Sequence, residues 1–126
     1  VFPLMHLDPK DPKNYVFGPT DEILKLARNV GLKICYRLGE SIEHTDGVHF
    51  NVLVPDDYEK YAEVMAGIVR HYNRGWADGY HWNIEYWNFW EEPDGISNLW
   101  CLPGEEGKDK SFHKVDIFSV TKLRKI

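Results

Sequence analysis

Hydrophobic and polar positions along this 126-residue chain follow two periods, one typical of helices and the other of strands. Apolar side chains recur three and four positions apart in residues 20–30 and again in residues 56–73. Runs of β-branched and aromatic residues occupy positions near 32–39 and 83–91. Because helical and extended segments alternate, the pattern predicts a parallel sheet with helices on its outer face.

Two further elements are predicted towards the ends of the chain. Residues 1–6 are apolar and are expected to form a strand, whereas residues 111–124 are expected to form a helix. β-Branched residues in the latter segment would also suit a strand. The helix over 20–30 is expected to have Thr20 as its N-cap and to end at Gly31. The sequence thus predicts a single α/β domain over residues 1–126.

Composition and charge narrow the function classes. The net charge of -5 argues against nucleic-acid binding, which normally needs a basic face. The chain contains five tryptophans, seven tyrosines and six phenylalanines, which either fill the core or provide platforms for sugar rings. No apolar run is long enough to span a membrane. We therefore expect a soluble protein that binds neither nucleic acid nor membrane, in an unknown compartment.

The two cysteines do not indicate a metal site or a disulfide framework. Cys35 lies in a strand that is predicted to be buried, and Cys101 follows in a loop. Their spacing is not typical of metal ligands, so both are interpreted as free thiols, with a single disulfide as the alternative. Asp8 and Asp11 lie in a proline-rich loop and are interpreted as solvated, because the pattern of a calcium loop is missing. No metal or cofactor is expected.

The most informative stretch is an aromatic run that ends in Trp90-Glu91-Glu92-Pro93. Pro93 cannot donate a hydrogen bond to a sheet, so strand pairing is expected to stop at Glu92. Two acids at a strand end are either simply solvated or part of a site. The two acids can be part of a site because catalytic groups in parallel α/β folds gather at the carboxyl ends of strands.

This stretch resembles the sequence around the acid/base glutamate of retaining glycoside hydrolases with (β/α)8 barrels, above all the β-xylosidase-like glycoside hydrolase family 39. In that family the fourth strand typically ends Trp-Asn-Glu-Pro. Glu92 matches the acid/base position, and Glu91 replaces the asparagine that holds the 2-hydroxyl of the sugar. Asn88 stands where the family commonly has glutamate.

The resemblance implies a TIM-barrel fragment, about strands two to four with their helices. A complete barrel takes about 250 residues, so this chain corresponds to about half of one. The family's nucleophile is a glutamate on the seventh strand, which has no counterpart in this chain. The resemblance therefore implies a carbohydrate partner and an acid/base position, but no hydrolysis by the isolated chain.

Further candidate residues surround the acid/base position. The segment from Tyr36 to His44 resembles the family's third strand and the loop after it. Glu40 and His44 in this segment are interpreted either as ligands of sugar hydroxyls or as parts of a hydrated loop. Trp90 and Trp100 are candidate sugar platforms.

Arg37 lies inside an otherwise apolar strand, and a buried guanidinium needs an acidic partner. We expect Arg37 to be buried and paired with Glu91 or Glu92.

A partial barrel would leave two open strand edges and an uncovered apolar face. Such surfaces favour pairing with further polypeptide. The expected partner is therefore a second copy of the chain, in a homo-oligomer, or a missing barrel segment. Two alternatives to an enzyme remain: a carbohydrate-binding fragment without bond cleavage, and a purely structural, self-associating piece.

Overall fold

The computed structural model describes residues 1–39 and 55–89. The elements in this part of the chain are helix α1 (Gly18–Asn29), strand β1 (Cys35–Leu38), helix α2 (Tyr58–Arg74) and strand β2 (Tyr86–Phe89), preceded by a short 3-10 helix, Pro12–Asn14. The two strands pair in parallel, with Cys35 opposite Tyr86 and Leu38 opposite Phe89. The molecule is thus an α/β structure with a parallel sheet, as the alternation of periods predicted.

The predicted strand over residues 1–6 is wrong. This segment turns back on itself, and the Leu7 amide donates a hydrogen bond to the Leu4 carbonyl oxygen over 3.1 Å. A backbone bond to a later segment joins the Val16 amide to the Val1 carbonyl oxygen over 2.7 Å. An apolar composition alone does not make a strand, because a strand also needs a neighbour along its length. The predicted helix over residues 111–124 lies outside the described residues.

Helix α1 begins earlier than its sequence suggested. It starts at Gly18 without a hydrogen bond from a capping side chain, so the expectation that Thr20 is the N-cap was wrong. Its end matches the expectation, because Gly31 has a φ of +82°. The Leu32 amide then donates to the Ala27 carbonyl oxygen over 3.0 Å, which closes the last turn as a Schellman motif.

Helix α2 provides most of the core. Asp57 caps its start by accepting a hydrogen bond from the Lys60 amide over 2.9 Å, and Gly75 ends it with a φ of 70°. One side of the helix is buried through residues at helical spacing: Tyr61, Ala62, Val64, Met65, Ala66, Gly67, Ile68, His71 and Tyr72. This burial holds the sheet against the helix.

The sheet is covered on the side that faces α2. Leu38 is 2% exposed, and the Tyr36 ring lies 5.4 Å from the Tyr72 ring, centroid to centroid. Cys35 is a free thiol, as expected, but its side chain is exposed, so the prediction that it is buried was wrong. Side chains alternate across a strand, and Cys35 points away from α2. Within the described residues, no helix is long and apolar enough to cross a membrane.

Candidate functional site

The two strands end side by side. Because β1 and β2 are parallel and in register, Leu38 and Phe89 lie opposite each other at the carboxyl edge of the sheet. Glu40 follows the end of β1 by two residues, and Glu92 follows the end of β2 by three. Both acid-bearing segments therefore begin at one edge, where ligands bind in parallel α/β folds.

Most of the predicted site residues lie outside the described part of the chain, and their roles stay predictions. They are Glu40, His44, Trp90, Glu91, Glu92 and Trp100.

Arg37 is the predicted site residue that the structure describes. Its side chain is exposed, so the prediction that it is buried was wrong. Arg37 points away from α2, on the same side of the sheet as Asn88, which lies opposite it in the register. The helix layer packs on the other side. The expected ion pair with Glu91 or Glu92 involves residues outside the described part and stays a prediction.

A side-chain clamp fixes the chain just before β2. The Asn73 side chain accepts a hydrogen bond from the Ile84 amide over 2.7 Å and donates one to the Ile84 carbonyl oxygen over 3.0 Å. The Trp87 indole N–H donates to the same carbonyl oxygen over 2.9 Å. The last turn of α2 therefore fixes the chain directly before β2.

The connection from α2 to β2 is tightly folded against the helix. Ala77 and Asp78 both have a φ of 56°, and Asn83 has a φ of 54°, in the left-handed region that non-glycine residues seldom adopt. A Cβ on Gly79 would overlap the His71 carbonyl oxygen and lie 2.6 Å from the His71 Nδ1. Only glycine fits there, because the loop passes directly over the end of the helix.

A buried polar network joins this loop to α1. His71 is 2% exposed, with Nδ1 at 3.0 Å from the Trp76 carbonyl oxygen and Nε2 at 3.2 Å from Asp21 Oδ1. The other Asp21 oxygen accepts a hydrogen bond from the Tyr80 hydroxyl over 3.2 Å. Phe17 stacks on the imidazole with ring centroids 3.5 Å apart. The network links two stretches that are far apart in sequence, residues 17–21 and residues 71–80.

Tyr15, Tyr36 and Tyr72 are held in their neutral form. Burial, helped by the negative charge of Asp21, raises the pKa of Tyr36 to about 12. Burial also raises the pKa of Tyr15 to about 12 and the pKa of Tyr72 above its ordinary value. Such phenols stay protonated near neutral pH, so we interpret them as packing groups rather than as general bases.

Sequence reasoning missed the hydrogen bonds by which His71, Asp21 and Asn73 join separate segments. For His71 a signal existed, because it lies seven residues after Val64 and three after Ile68, on the buried side of α2. Asn73 and Asp21 carry no such signal, since their partners come from other segments. In residues 1–39 and 55–89, no group of three or more His, Cys, Asp or Glu side chains could hold a metal ion.

Comparison with known proteins finds similarity among solved structures. No family model matches the chain, and neither does any curated protein with which it was compared. Among solved structures, a glucosidase from Croceicoccus marinus is 32% identical, with a TM-score of 0.67, over 79% of this chain. The match covers 19% of the glucosidase, so this chain spans about a fifth of its length. The chain is therefore similar, over most of its length, to part of a glycoside hydrolase.

Proposed function

We propose that this chain is part of a (β/α)8 barrel of the retaining glycoside hydrolase type, with Glu92 in the acid/base position. The observation that carries the proposal is the end of β2 at Phe89, beside the parallel end of β1 and immediately before Trp90-Glu91-Glu92-Pro93. The similarity to a glucosidase supports the same class of protein. Assignment to family 39 rests on the motif alone.

The chemistry of the proposed site needs a second carboxylate. Retaining glycosidases use two carboxyl groups about 5 to 5.5 Å apart, of which one protonates the leaving oxygen and the other attacks the anomeric carbon. Glu91 directly precedes Glu92 in the sequence, and neighbouring side chains of an extended chain point to opposite sides, so we do not propose Glu91 as the second carboxylate. Proton donation alone contributes about 10²- to 10⁴-fold. We therefore propose that this chain by itself does not hydrolyse glycosides at a useful rate.

The test is to incubate the purified chain with aryl β-xylosides and aryl glucosides and to follow release of the phenol. We expect no release above background. Turnover that disappears in Glu92→Gln but persists in the control Glu105→Gln would contradict the proposed inactivity and make the chain an enzyme. Turnover that survives Glu92→Gln would contradict the acid/base role of Glu92.

Carbohydrate binding without cleavage is tested separately. Titration with xylo-oligosaccharides, followed by calorimetry, would detect a platform formed by Trp90 and Trp100 with Glu40 and His44. Heat of binding that is lost in Trp100→Ala, without any sugar release, would favour the binding function over catalysis.

Exposed apolar side chains on α1 and on the sheet favour a structural, self-associating role. The outer side of α1 exposes an apolar stripe, with Ile23 67%, Leu26 69% and Val30 74% exposed. On the sheet face away from α2, Tyr86 is 54% exposed. Apolar surfaces of this kind commonly mark interaction sites. We propose that the chain forms a homo-oligomer through them.

Sedimentation at micromolar concentration tests this proposal. We expect oligomers that dissociate in Leu26→Glu and persist in Asn29→Glu, which adds the same charge outside the stripe. A monomer as the sole species in the unsubstituted chain would contradict self-association.

A further inference from the structure

The segment before β2 is bonded rung by rung to the C-terminal end of α2. The Tyr80 amide donates to the His71 carbonyl oxygen over 2.6 Å, and the Trp82 amide donates to the Tyr72 carbonyl oxygen over 2.8 Å. Carbonyl groups in the last turn of a helix have no partner within the helix, so these two bonds satisfy them. Amides two positions apart thus pair with consecutive residues at the end of the helix.

Asn73 continues this series with its side chain. The Ile84 amide, two positions after that of Trp82, donates to the Asn73 Oδ1 over 2.7 Å, and the Asn73 Nδ2 donates to the Ile84 carbonyl oxygen over 3.0 Å. The Ile84 side chain is 6% exposed. Strand β2 begins two residues later, at Tyr86. One side chain therefore holds both backbone groups of the last anchored residue before the strand.

The residue between the last two anchored positions has an unfavourable backbone conformation. Asn83 has a φ of 54°, in the left-handed region that costs a non-glycine residue energy. Trp82 on one side and Ile84 on the other are both bonded to the helix end. Release of Ile84 would let Asn83 return to a more favourable conformation, and the chain would then enter β2 from a different position.

The pattern of buried and exposed side chains leaves the register of β2 partly open. Trp87 and Phe89 are partly buried, whereas Tyr86 and Asn88 are exposed. A shift of β2 by one residue would turn every side chain to the other face of the sheet, so this pattern excludes it. A shift by two residues would return each side chain to the same face. Something other than alternation must therefore select between these two registers.

We propose that Asn73 is a positioning residue, whose two hydrogen bonds with Ile84 select the register with Cys35 opposite Tyr86 over the register with Cys35 opposite Asn88. The second register needs two more residues in the connection from α2. While Ile84 is held, these residues would have to bulge between it and β2. When Ile84 is released, the longer connection takes them up. The loss of two neutral hydrogen bonds changes such an equilibrium by about tenfold or more.

The register has a consequence for the acid/base position, and this step rests on the proposed function. Glu92 follows the end of β2 by three residues, and Glu40 follows the end of β1 by two. A shift by two residues displaces the sequence after β2 by about 7 Å against the sequence after β1. A misplacement of about 1 Å can cost a catalytic site about a hundredfold in rate. Asn73 thus acts on the site through the strand, without touching a substrate.

Cross-linking of thiols by dibromobimane measures the register without any sugar chemistry, so its result is independent of the tests of Glu92. Cys101→Ser leaves Cys35 as the one cysteine of the chain, and a second thiol is added by Tyr86→Cys or by Asn88→Cys. Neighbouring strands lie about 4.8 Å apart, and position 88 lies about 7 Å further along than position 86. We expect Tyr86→Cys to be cross-linked at least about tenfold faster than Asn88→Cys. Mass spectrometry restricts the comparison to cross-links within one chain.

Substitution of Asn73 should then change the ratio of the two rates. Asn73→Leu removes both hydrogen bonds and should lower the ratio about tenfold. Asn73→Asp keeps an acceptor for the Ile84 amide but sets a carboxylate oxygen against the Ile84 carbonyl oxygen, so it should give a ratio between the two. The control Asn29→Asp adds the same charge at an exposed position of α1 and should keep the original ratio.

An unchanged ratio in a folded Asn73→Leu chain would overturn the proposal. If circular dichroism shows that Asn73→Leu is unfolded, Asn73→Asp decides, and the original ratio in that variant would overturn the proposal equally. A lower ratio in Asn73→Asp but not in Asn29→Asp would support it.

Discussion

The two helices are both amphipathic, yet they use their apolar sides in opposite ways. Helix α2 buries nine residues, among them Val64 at 1% and Ile68 at 5% exposure. Helix α1 has no buried residue, and its stripe of Ile23, Leu26 and Val30 is exposed. The period of a helix therefore reveals that an apolar stripe exists, but not which surface covers it.

Helix α1 is held by Leu24, which is partly buried against the core, and by several polar side chains. Asp21 contacts His71, and the guanidinium of Arg28 lies 5.0 Å from the centroid of the Trp82 ring. Tyr80 and Trp82 stack with centroids 4.1 Å apart and form an aromatic surface beneath the helix. Charged side chains can pack on aromatic faces, because the π electrons attract cations.

The sheet shows the same asymmetry. Leu38 faces α2 and is buried, while its neighbour Arg37 points the other way and is exposed. Under the proposed function, the exposed stripe of α1 and this sheet face would be covered by the remainder of a barrel. The contrast between covered and uncovered surfaces can be tested by substitutions.

The largest effect is expected from truncating matched isoleucines. Ile68→Ala should lower the free energy of unfolding by about 2–5 kcal/mol, since it opens a cavity in the core. At a protein concentration low enough to keep the chain monomeric, Ile23→Ala should change it by less than about 0.5 kcal/mol, because this side chain is 67% exposed in the single chain. Urea unfolding of both variants provides the measurement. Similar losses in the two variants would mean that α1 is covered in solution.

A smaller loss is expected at Gly67, where α2 passes close to the N-terminal segment. A Cβ there would lie 2.5 Å from the Tyr15 hydroxyl oxygen. Gly67→Ala should therefore destabilise the fold by about 1–3 kcal/mol, although alanine normally favours a helix. Combining it with Tyr15→Phe should recover part of this loss, so a double-mutant cycle measures the clash. If the two substitutions lower the free energy of unfolding additively, the close approach of Gly67 to the Tyr15 hydroxyl is contradicted.

Alkaline pH should weaken the core on the side of α2. Burial raises the pKa of Tyr36 from its ordinary value of 10.0 to about 12, so the folded chain holds the phenol proton to higher pH than the unfolded chain. The contribution of the neutral Tyr36 phenol to the free energy of unfolding is then fully present below pH 10 and is lost between pH 10 and 12. The free energy of unfolding of Tyr36→Phe, measured with urea, should fall less steeply over this pH range. An unchanged slope would contradict the role of Tyr36.

The smallest effect is expected on the polar side of α1. Arg28→Met keeps most of the apolar length of the side chain but removes the cation over Trp82, at a cost of about 0.5–1 kcal/mol. The matched control Lys33→Met changes an exposed lysine and should be nearly neutral. Equal effects in thermal unfolding would argue against a specific contact with Trp82.

Local patterns predicted the central elements well. Helix α2 was expected over residues 56–73 and spans Tyr58–Arg74, because its apolar period is long and Gly75 supplies a stop. The parallel order of β1 and β2 was also predicted correctly. Residues 1–6 were misassigned because an apolar run does not specify a strand partner.

The candidate site was predictable only in part. The motif ending at Pro93 predicts Glu92 as the acid/base position, and this stays a prediction because the acids lie outside the described part. Burial of Arg37 was predicted wrongly because alternation shows which residues share a face, not whether that face is covered. The role of Asn73 was not predicted, because the folded loop brings the Ile84 backbone to it and no regular spacing in the sequence indicates this contact.

The sequence by itself determined the order of helices and strands, the glycine stops and the motif at the end of β2. These features depend on interactions among residues close together in the chain. The tertiary structure alone decided that α1 packs through Asp21 and Arg28, and that His71 lies between Asp21 and Trp76. Asp21 and His71 are 50 positions apart, so no local pattern encodes their contact. Such a pair is fixed only when the packing of several segments brings two polar groups together out of water.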